Sequence, residues 1–540
     1  MRKLTKLLSL LFALALVASA CGGSDGDDTD AGEGEGNIID EETQSEVEDQ
    51  LSGDEDGEGE EDEGEENTAP VAKPTSMEEW EALWAEERAA IVQTIADNGW
   101  GWDQDANMVT GPGGFSVDLS TCPEGWDPYG GLEDGVINFG QTGAASGTLA
   151  DYGNIQVAQQ IYWDYVNSEQ GGFTDSEGKT YTLEADFRDD AYDVSKTVPL
   201  ASELLNSEGV FALSSLGSPN TMKIYDMMNE SCVPHPFVQT GHPAWGDPEA
   251  HPWTWGHQLA YNTEAILWGG LIEKEFADRD SITVAALIMQ NDFGAAYELG
   301  FKTFAAQSDL EIDFVFERIE PTAPTVTNQM TTLQAKNPDV FIAMTAGTSC
   351  TQSIVEAANN GMKETATLLF QPSVCKGGNF VGKDAVGDDG SATDGWWVTG
   401  GGVVDFNDAT VADEAFVAFA RDLLEKAGKP SESSTQLGNG FIFGWPVIQA
   451  LHIAAELPGG ISRPNFMLAA RTIDMSHPGL LDGVKYNMSG NDDAYPIEGS
   501  EFAVWNGAAQ SWEKVESLGI IELSGKSANC EWDQSISNCK

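Results

Sequence analysis

Residues 136–153 read VINFGQTGAASGTLADYG, and this stretch decides the fold. The apolar run at residues 136–140 predicts a β-strand, and the small residues from 142 to 148 predict a tight turn after it. Apolar residues then recur at helical spacing as far as Val166, which predicts a helix. A strand, a small-residue turn and a helix in this order indicate a parallel sheet with helices on its faces.

The same unit recurs along the chain. Further strands are predicted at residues 181–187 and 210–213 in the first half, and at residues 282–289, 314–318, 340–344 and 367–370 in the second. Helical segments separate these strands, and each half is long enough to hold its own core. The sequence therefore predicts an α/β protein with two doubly wound lobes.

The pattern changes after Trp396. Helices are predicted at residues 411–427, 441–456 and 463–472, followed by a late strand at residues 502–505. Helices without intervening strands suggest that the chain returns to the first lobe and then crosses back to the second. Three crossings between two lobes would form a hinge.

These patterns divide the chain into segments. We expect an N-terminal extension at residues 75–134, lobe 1 at residues 135–257 plus 403–484, lobe 2 at residues 258–402 plus 485–525, and a cysteine-containing tail at residues 526–540. The extension begins with an amphipathic helix at residues 76–98, which we expect to pack on the outside of the main domain. Residues 100–135 are rich in Gly, Pro and Asp and are expected to be an irregular connection.

The N-terminus has the features of a secretory signal peptide. A basic start is followed by an apolar run that is too short to span a bilayer, and small residues precede Cys21. This pattern predicts removal of residues 1–20 and lipidation of Cys21. Ala18 stands where leucine is commonest at such sites, so an ordinary cleaved signal with an incidental cysteine is the alternative. Either way, the mature protein is expected outside the cytoplasm.

The segment that follows Cys21 is strongly acidic. Between Gly22 and Pro70 there are 22 Asp and Glu residues and no Lys or Arg. Such a segment cannot bury enough apolar surface to offset its chain entropy, so residues 21–74 are expected to form a disordered tether. The tether accounts for about a third of the net charge of −63. The rest lies mainly on the folded part, which disfavours nucleic acid and anionic lipid as partners.

Six cysteines remain after Cys21. An even number of cysteines outside the cytoplasm favours disulfides, and six cysteines allow 15 pairings. Spacing favours Cys530–Cys539, followed by Cys350–Cys375, whose members each follow a predicted strand one βα unit apart. Cys122–Cys232 then remains. No CxxC or HxxxH spacing occurs in the sequence, so we expect no metal site.

Four segments of the chain resemble one known family. They are SGTLADYG at residues 146–153, FRDDAYD at residues 187–193, NDFG at residues 291–294 and VEAANNG at residues 355–361. Their order and spacing over residues 135–520 are similar to those of the branched-chain amino acid (Leu/Ile/Val) type of substrate-binding protein for ABC importers. Each motif alone is too short to identify the family, and the resemblance rests on the order and spacing of all four.

The resemblance implies both a fold and a role. The fold would be that of a type I periplasmic binding protein, with two doubly wound parallel-sheet lobes and a three-strand hinge. The role would be that of a monomeric, lipid-anchored receptor at the cell surface or in the periplasm, without cofactor or catalysis. It would pass a small solute to an ABC permease in the membrane. The solute would be a branched-chain amino acid or a related amino acid, amide or carboxylate.

The resemblance also places ligand-binding residues. Tyr152 would be the aromatic wall of the cleft, and Ser218 with neighbouring N–H groups would hold the ligand's carboxylate. Thr240 and Gly241 lie in the second contact loop of the first lobe, and Phe293 would close the cleft from the second lobe. Alternatively, the two aromatic residues could pack the lobes, and Ser218 could be a helix cap.

The sequence departs from the family at the position of a charged residue. The family places a carboxylate after a second-lobe strand to pair with the ligand's ammonium group, and Ser373 occupies that position here. Without an acid, an amino acid would lose a charge-assisted hydrogen bond worth about 1.5–3 kcal/mol. Asp189 or Asp190 could compensate, although both are typical turn residues. Ser349 lies in another turn that we expect to border the cleft.

Residues 242–257 are unusual because they contain three histidines and three tryptophans. We expect a rigid loop that packs near the hinge; a ligand-contacting loop is the alternative, and the histidine spacing does not match a common metal site.

Two other functions compete with solute transport. A sensor of the same fold would signal to a partner, but the chain contains no kinase segment. A secreted hydrolase would need a nucleophile, and no GxSxG elbow occurs at a predicted strand-to-helix turn.

Overall fold

The computed structural model describes residues 41–52, 73–387 and 389–540. Cys21, the predicted signal peptide and most of the acidic segment lie outside the described residues, so cleavage and lipidation stay predictions. Among the helices that the structure describes, none combines the length and the apolar character needed to cross a membrane.

The described residues contain β-strands of different lengths. They are β1 Gly101–Asp103, β2 Met108–Thr110, β3 Ser116–Asp118, β4 Leu132–Glu133, β5 Val136–Gly143, β6 Phe173–Thr174, β7 Thr180–Asp189, β8 Ala212–Ser215, β9 His235–Val238, β10 Thr254–Gly256, β11 Ser281–Met289, β12 Glu311–Ile319, β13 Val340–Met344, β14 Leu368–Gln371, β15 Trp397–Thr399, β16 Asp474–Ser476, β17 Lys485–Asn487, β18 Ser500–Asn506, β19 Ser511–Lys514, β20 Ile520–Ile521, β21 Trp532–Asp533 and β22 Asn538–Cys539.

The α-helices alternate with these strands. They are α1 Glu41–Ser52, α2 Met77–Asp97, α3 Asn154–Tyr165, α4 Val194–Glu203, α5 Ser218–Glu230, α6 Tyr261–Glu275, α7 Asp292–Gln307, α8 Thr327–Gln334, α9 Thr348–Asn360, α10 Met362–Thr365, α11 Gly378–Val381, α12 Lys383–Val386, α13 Ala415–Lys426, α14 Thr435–Glu456 and α15 Arg463–Arg471. A 3-10 segment, Gly147–Gly153, leads into α3.

Two separate sheets form the lobes. In the first sheet, β5 pairs in parallel with β7 and β8, and β4 and β6 pair antiparallel at its margins. In the second sheet, β12, β11, β13, β14 and β15 are parallel neighbours, and β18 and β19 extend it in the antiparallel direction. These parallel arrangements confirm the predicted α/β architecture.

The chain passes between the lobes in several places. It enters lobe 2 between β10 and α6, returns to lobe 1 between β15 and α13, and crosses again between β17 and β18. Helix α14 packs on α3 in lobe 1, whereas α6 packs on α7 in lobe 2. Helix α14 begins at Thr435, six residues before the predicted start, because Ser434 caps it by accepting a hydrogen bond from the Gln436 N–H.

The C-terminal tail adds a crossing that the sequence does not reveal. Strand β20 belongs to the second sheet, but residues 526–540 return to lobe 1. The Cys530 N–H donates to the Gly246 carbonyl at 3.0 Å, and the Trp532 ring packs edge-on against His242 at 4.7 Å between ring centroids. The tail therefore joins the two lobes on the hinge side.

Part of the predicted disordered tether is ordered. Residues 41–52, within the segment 21–74, form helix α1, in which Val47 and Leu51 are buried. Both side chains pack on Gly270 of α6, where an added Cβ would come within 2.8 Å of Leu51. The prediction of disorder is wrong for this helix. It rested on the acidic composition of the segment, but Val47 and Leu51 lie four residues apart on one face of the helix, where α6 covers them.

The N-terminal extension is more regular than predicted. Residues 100–135 contain the antiparallel sheet β1-β2-β3, which the prediction of an irregular connection misses because each strand has only three residues. Helix α2 is confirmed, with the Ser76 side chain accepting a hydrogen bond from the Glu79 N–H. It is integrated into lobe 1, because the buried Trp84 donates through Nε1 to the Ser476 carbonyl at 2.8 Å.

All six cysteines after Cys21 form disulfides in the structure. The pairs are Cys122–Cys232, Cys350–Cys375 and Cys530–Cys539. These are the pairs expected from spacing and position.

We predict that Trp84→Ala destabilises lobe 1 by about 3–5 kcal/mol, since it leaves a cavity among buried rings. Trp84 lies 5.3 Å from Trp445 and 6.0 Å from His477 between ring centroids. Chemical unfolding of the purified protein measures this change. Glu86→Ala, at an exposed position of the same helix, is the control and should change stability by less than about 0.5 kcal/mol. A loss below about 1 kcal/mol for Trp84→Ala would show that α2 is only an appendage.

Candidate functional site

A cavity lies between the two lobes, at the carboxyl ends of their parallel strands. In open α/β sheets this is the edge where ligands bind. Its volume is about 80 Å³, enough for several water-sized groups. The lining residues come from both lobes and are Leu149, Tyr152, Ile155, Tyr192, Leu216, Gly217, Gln239, Gln258, Leu259, Tyr261, Phe293, Ala346, Ser373, Val374, Gly400, Gly401, Val403, Gln436, Asn439 and Phe443.

The lining is apolar and aromatic, with a few uncharged polar groups. Four amide side chains and five aromatic rings line it, and none of the described lining residues is Asp, Glu, Lys, Arg or His. Small-molecule sites commonly combine such a lining with a few polar groups that fix orientation. The cavity therefore suits a small solute with an apolar body.

Tyr152 lines the cavity and also connects the lobes. Its hydroxyl donates to the Val374 carbonyl at 3.0 Å and accepts from the Gly347 N–H at 3.3 Å. Its ring lies 5.7 Å from the ring of Phe380, also in lobe 2. Burial raises the pKa of Tyr152, so the phenol stays neutral at ordinary pH and can donate.

Further contacts close the lobes beside Tyr152. The Thr148 hydroxyl donates to the Pro321 carbonyl at 3.0 Å, and the Asn379 amide donates to the Asp151 carboxylate at 2.7 Å. Gly347 has a φ of 63°, and an added Cβ would lie 2.6 Å from the Thr148 carbonyl oxygen. Only glycine permits this approach without strain. The structure therefore shows the closed arrangement of the lobes.

Tyr192 is a cavity residue that the sequence did not single out. Ala191 and Tyr192 have φ values of 56° and 61°, a left-handed conformation that is costly for non-glycine residues. Asp190 supports the turn by accepting a hydrogen bond from the Tyr192 N–H at 2.9 Å. Gly217 makes room for the ring, because an added Cβ would lie 2.3 Å from it. In the sequence, only its place in the FRDDAYD motif indicates that Tyr192 could border the cavity.

Phe293 lines the cavity from lobe 2, where the sequence placed it. Asn291 caps α7 through a hydrogen bond from the Gly294 N–H, which fixes Phe293 in the first turn. Its ring lies 5.0 Å from Tyr261 and 5.3 Å from Tyr297. These rings form an aromatic wall that continues into the core of lobe 2.

Other expected binding residues lie behind the cavity surface. The hydroxyl groups of Ser218 and Thr240 are 2.6 Å apart and fully buried. The Gly241 carbonyl accepts a hydrogen bond from the Tyr261 N–H at 2.7 Å. Ser349 is buried in the first turn of α9. None of these four lines the cavity; they support Gly217, Tyr261 and Ala346, which do, and their direct contact with a ligand stays a prediction.

Ser373 lines the cavity, and a carboxylate lies directly behind it. The Ser373 N–H and hydroxyl donate to Glu264 at 2.6 and 2.9 Å. Glu264 is fully buried in α6. The sequence did not reveal it, because an acid in the first turn of a helix usually faces solvent. Burial raises the pKa of Glu264, and hydrogen bonds from Tyr297, Thr399 and Ser373 partly oppose this.

Asp189 and Asp190 do not reach the cavity. Asp189 accepts hydrogen bonds from the Ala145 and Ala191 N–H groups at 2.9 Å. Asp190 is bonded to Thr197 and Asn220 inside lobe 1. Both therefore organise turns, as their position after a strand suggests.

The loop at residues 242–257 is packed inside lobe 1. His242 and His257 are buried, and burial lowers the pKa of each to about 3. The His257 ring lies 3.9 Å from the ring of Phe443, which separates it from the cavity. Within the described part of the chain, no group of His, Cys, Asp and Glu side chains could hold a metal ion.

Comparison with known proteins agrees with this architecture. A family model described as a periplasmic binding protein matches residues 136–508, more than half of the chain. No curated protein sequence matches the chain significantly.

Several solved structures have the same fold. A fatty acid ABC transporter substrate-binding protein from Thermomonospora curvata is 19% identical, with a TM-score of 0.60, and the match covers 76% of this chain and 96% of that one. A branched-chain amino acid ABC transporter protein from Thermus thermophilus, with bound valine, is 15% identical, with a TM-score of 0.60 and coverage of 70% and 95%.

A benzoate-bound solute-binding protein from R. palustris is 17% identical, with a TM-score of 0.56 and coverage of 75% and 100%. The predicted fold class, that of a type I periplasmic binding protein, is confirmed.

Proposed function

Since the chain belongs to the periplasmic binding protein family, we propose that it captures a small solute outside the cytoplasm for an ABC importer in the membrane. The observation that carries this proposal is the cavity lined from both lobes. Lipidation of Cys21 would hold the protein at the membrane, and a monomer suffices because one chain supplies both sides of the cavity.

The solute class follows from the lining. The five aromatic rings and the neighbouring aliphatic side chains suit a branched or aromatic body, and the amides suit a polar end. Relatives of the same fold have bound valine or benzoate. We therefore propose a branched-chain amino acid or a related amino acid, amide or carboxylate.

Capture would proceed by closure of the lobes. A carboxylate or amide end would meet the free N–H groups at the start of α5, beside Gly217, where the helix dipole is positive. Closure would then bring Tyr152 to Val374 and Gly347 and exclude water. Because a ligand contacts both lobes only when they are closed, its binding shifts the population to the closed form.

Two other functions fit the geometry less well. A sensor of the same fold would use the same cavity, and only a partner protein would distinguish it. A hydrolase would need an activated nucleophile. The only side-chain hydroxyls on the described cavity lining belong to Ser373 and three tyrosines, and no histidine lies on that lining beside them. Binding without chemistry is the function that this lining supports.

We predict that at least one member of a solute panel binds and is recovered unchanged. The panel contains leucine, valine, phenylalanine, their amides, the matching deaminated acids, urea, benzoate and a fatty acid. Thermal shift detects binding, since a solute at about 100 times its Kd stabilises the folded state by about 2.7 kcal/mol. Calorimetry then gives the affinity. Conversion of a panel compound into product would favour the hydrolase, and the absence of any binding would contradict the proposal.

We predict that Tyr152→Phe weakens binding of the best panel solute about five- to tenfold, because the hydroxyl forms hydrogen bonds to lobe 2 that are worth about 1 kcal/mol. Calorimetry measures this change. Tyr165→Phe is the matched control, since Tyr165 packs on Phe419 at 4.8 Å away from the cavity. Equal affinity of the Tyr152→Phe variant and the wild type would show that this contact does not contribute to closure.

A further inference from the structure

Ser373 offers the cavity only part of its hydrogen-bonding capacity. Its N–H and its hydroxyl hydrogen both point inward, to the two oxygens of Glu264, at 2.6 and 2.9 Å. Towards the cavity, the hydroxyl oxygen can therefore only accept a hydrogen bond. A ligand group placed against it must be a donor.

Glu264 is surrounded by donors. Besides the two bonds from Ser373, the Tyr297 hydroxyl donates at 2.6 Å and the Thr399 hydroxyl donates at 2.8 Å. A carboxylate that accepts several hydrogen bonds is stabilised in its ionised form. Burial opposes this effect by raising the pKa of Glu264. None of these partners is a cation that would neutralise the carboxylate, so its ionised form places a negative charge one side chain behind the cavity wall.

The buried cation Lys376 is paired with another acid and not with Glu264. Lys376 is paired with Glu501 at 3.0 Å, and both side chains are almost fully buried. Glu501 lies behind the cavity at Gly400, where an added Cβ would touch its carboxylate. Asp405, which is half-buried, also lies near Lys376. The charges behind this part of the cavity are therefore negative in sum.

The aromatic part of the lining favours the same kind of ligand. The rings of Tyr152, Tyr192, Tyr261 and Phe293 line the cavity, and the face of an aromatic ring attracts a cation. No described lining residue carries a positive charge that would compete.

We propose that the solute carries a protonated amino group that donates to Ser373 Oγ, and that Glu264 selects this group through Ser373. The inference rests on the proposed solute-binding function and deepens it. Glu264 reaches this place from α6, whereas the acid that the family resemblance places in the turn after β14 is replaced by Ser373. Glu264 acts as a positioning and specificity residue and does not itself contact the solute.

The test compares matched pairs of ligands that differ in the amino group. The pairs are L-leucine with 4-methylpentanoate and L-phenylalanine with 3-phenylpropanoate, measured by calorimetry on the full chain. We expect the wild type to prefer the amino acid of at least one pair by about tenfold or more, the size of a charge-assisted hydrogen bond. In Glu264→Gln, this preference should fall to about threefold or less, because the carboxylate is lost while its shape is kept.

Two further variants keep the test independent of folding. Ser373→Ala removes the acceptor and should also lower the preference, even if Glu264→Gln fails to fold. Glu275→Gln removes the same charge at an exposed position of the same helix and should leave the preference unchanged.

The outcomes separate this inference from the solute-binding role. Equal or tighter binding of the deaminated acids by the wild type would overturn the role of Glu264 but leave solute binding intact. An unchanged preference in the folded variants of Glu264 and Ser373 would do the same. Absence of binding for all four compounds would contradict the inference and count against the proposed function.

Discussion

Parallel strands bring all their carboxyl ends to one edge of a sheet, and this constraint governs the whole molecule. Each lobe presents its strand-to-helix turns at that edge, so residues far apart in sequence become neighbours. When two such edges face each other, the turns of both lobes enclose one cavity. Tyr152 from the first lobe and the turns around Gly347 and Val374 from the second seal it.

The same constraint explains why close backbone approach matters here. Gly347 approaches the Thr148 carbonyl more closely than a residue with a side chain could. The Tyr192 ring occupies the space that a side chain at Gly217 would fill. The left-handed backbone at Ala191 and Tyr192 is strained. Glycines at close approaches and a strained turn thus occur where the lobes meet, as expected where a closed state depends on short contacts.

Much of this architecture could be predicted from local patterns. Buried strands such as β11 and β13 are mainly apolar runs, and the family resemblance placed Tyr152, Phe293 and Ser373 at the cleft. The features that escaped prediction depend on tertiary contacts. Helix α1 lies within an acidic segment, β1 to β3 are too short to show alternation, and the hydrogen bond between Ser218 and Thr240 joins residues of two different turns. Nothing in the sequence around Glu264 distinguishes a buried acid from an exposed one.

The central claim is that the two lobes close around a small solute. Small-angle X-ray scattering of the full chain, with and without the best-binding panel solute, tests it most directly. The account predicts that saturating solute lowers the radius of gyration of the wild type. An unchanged radius of gyration at saturation, with the lobes either always closed or always open, would contradict the account.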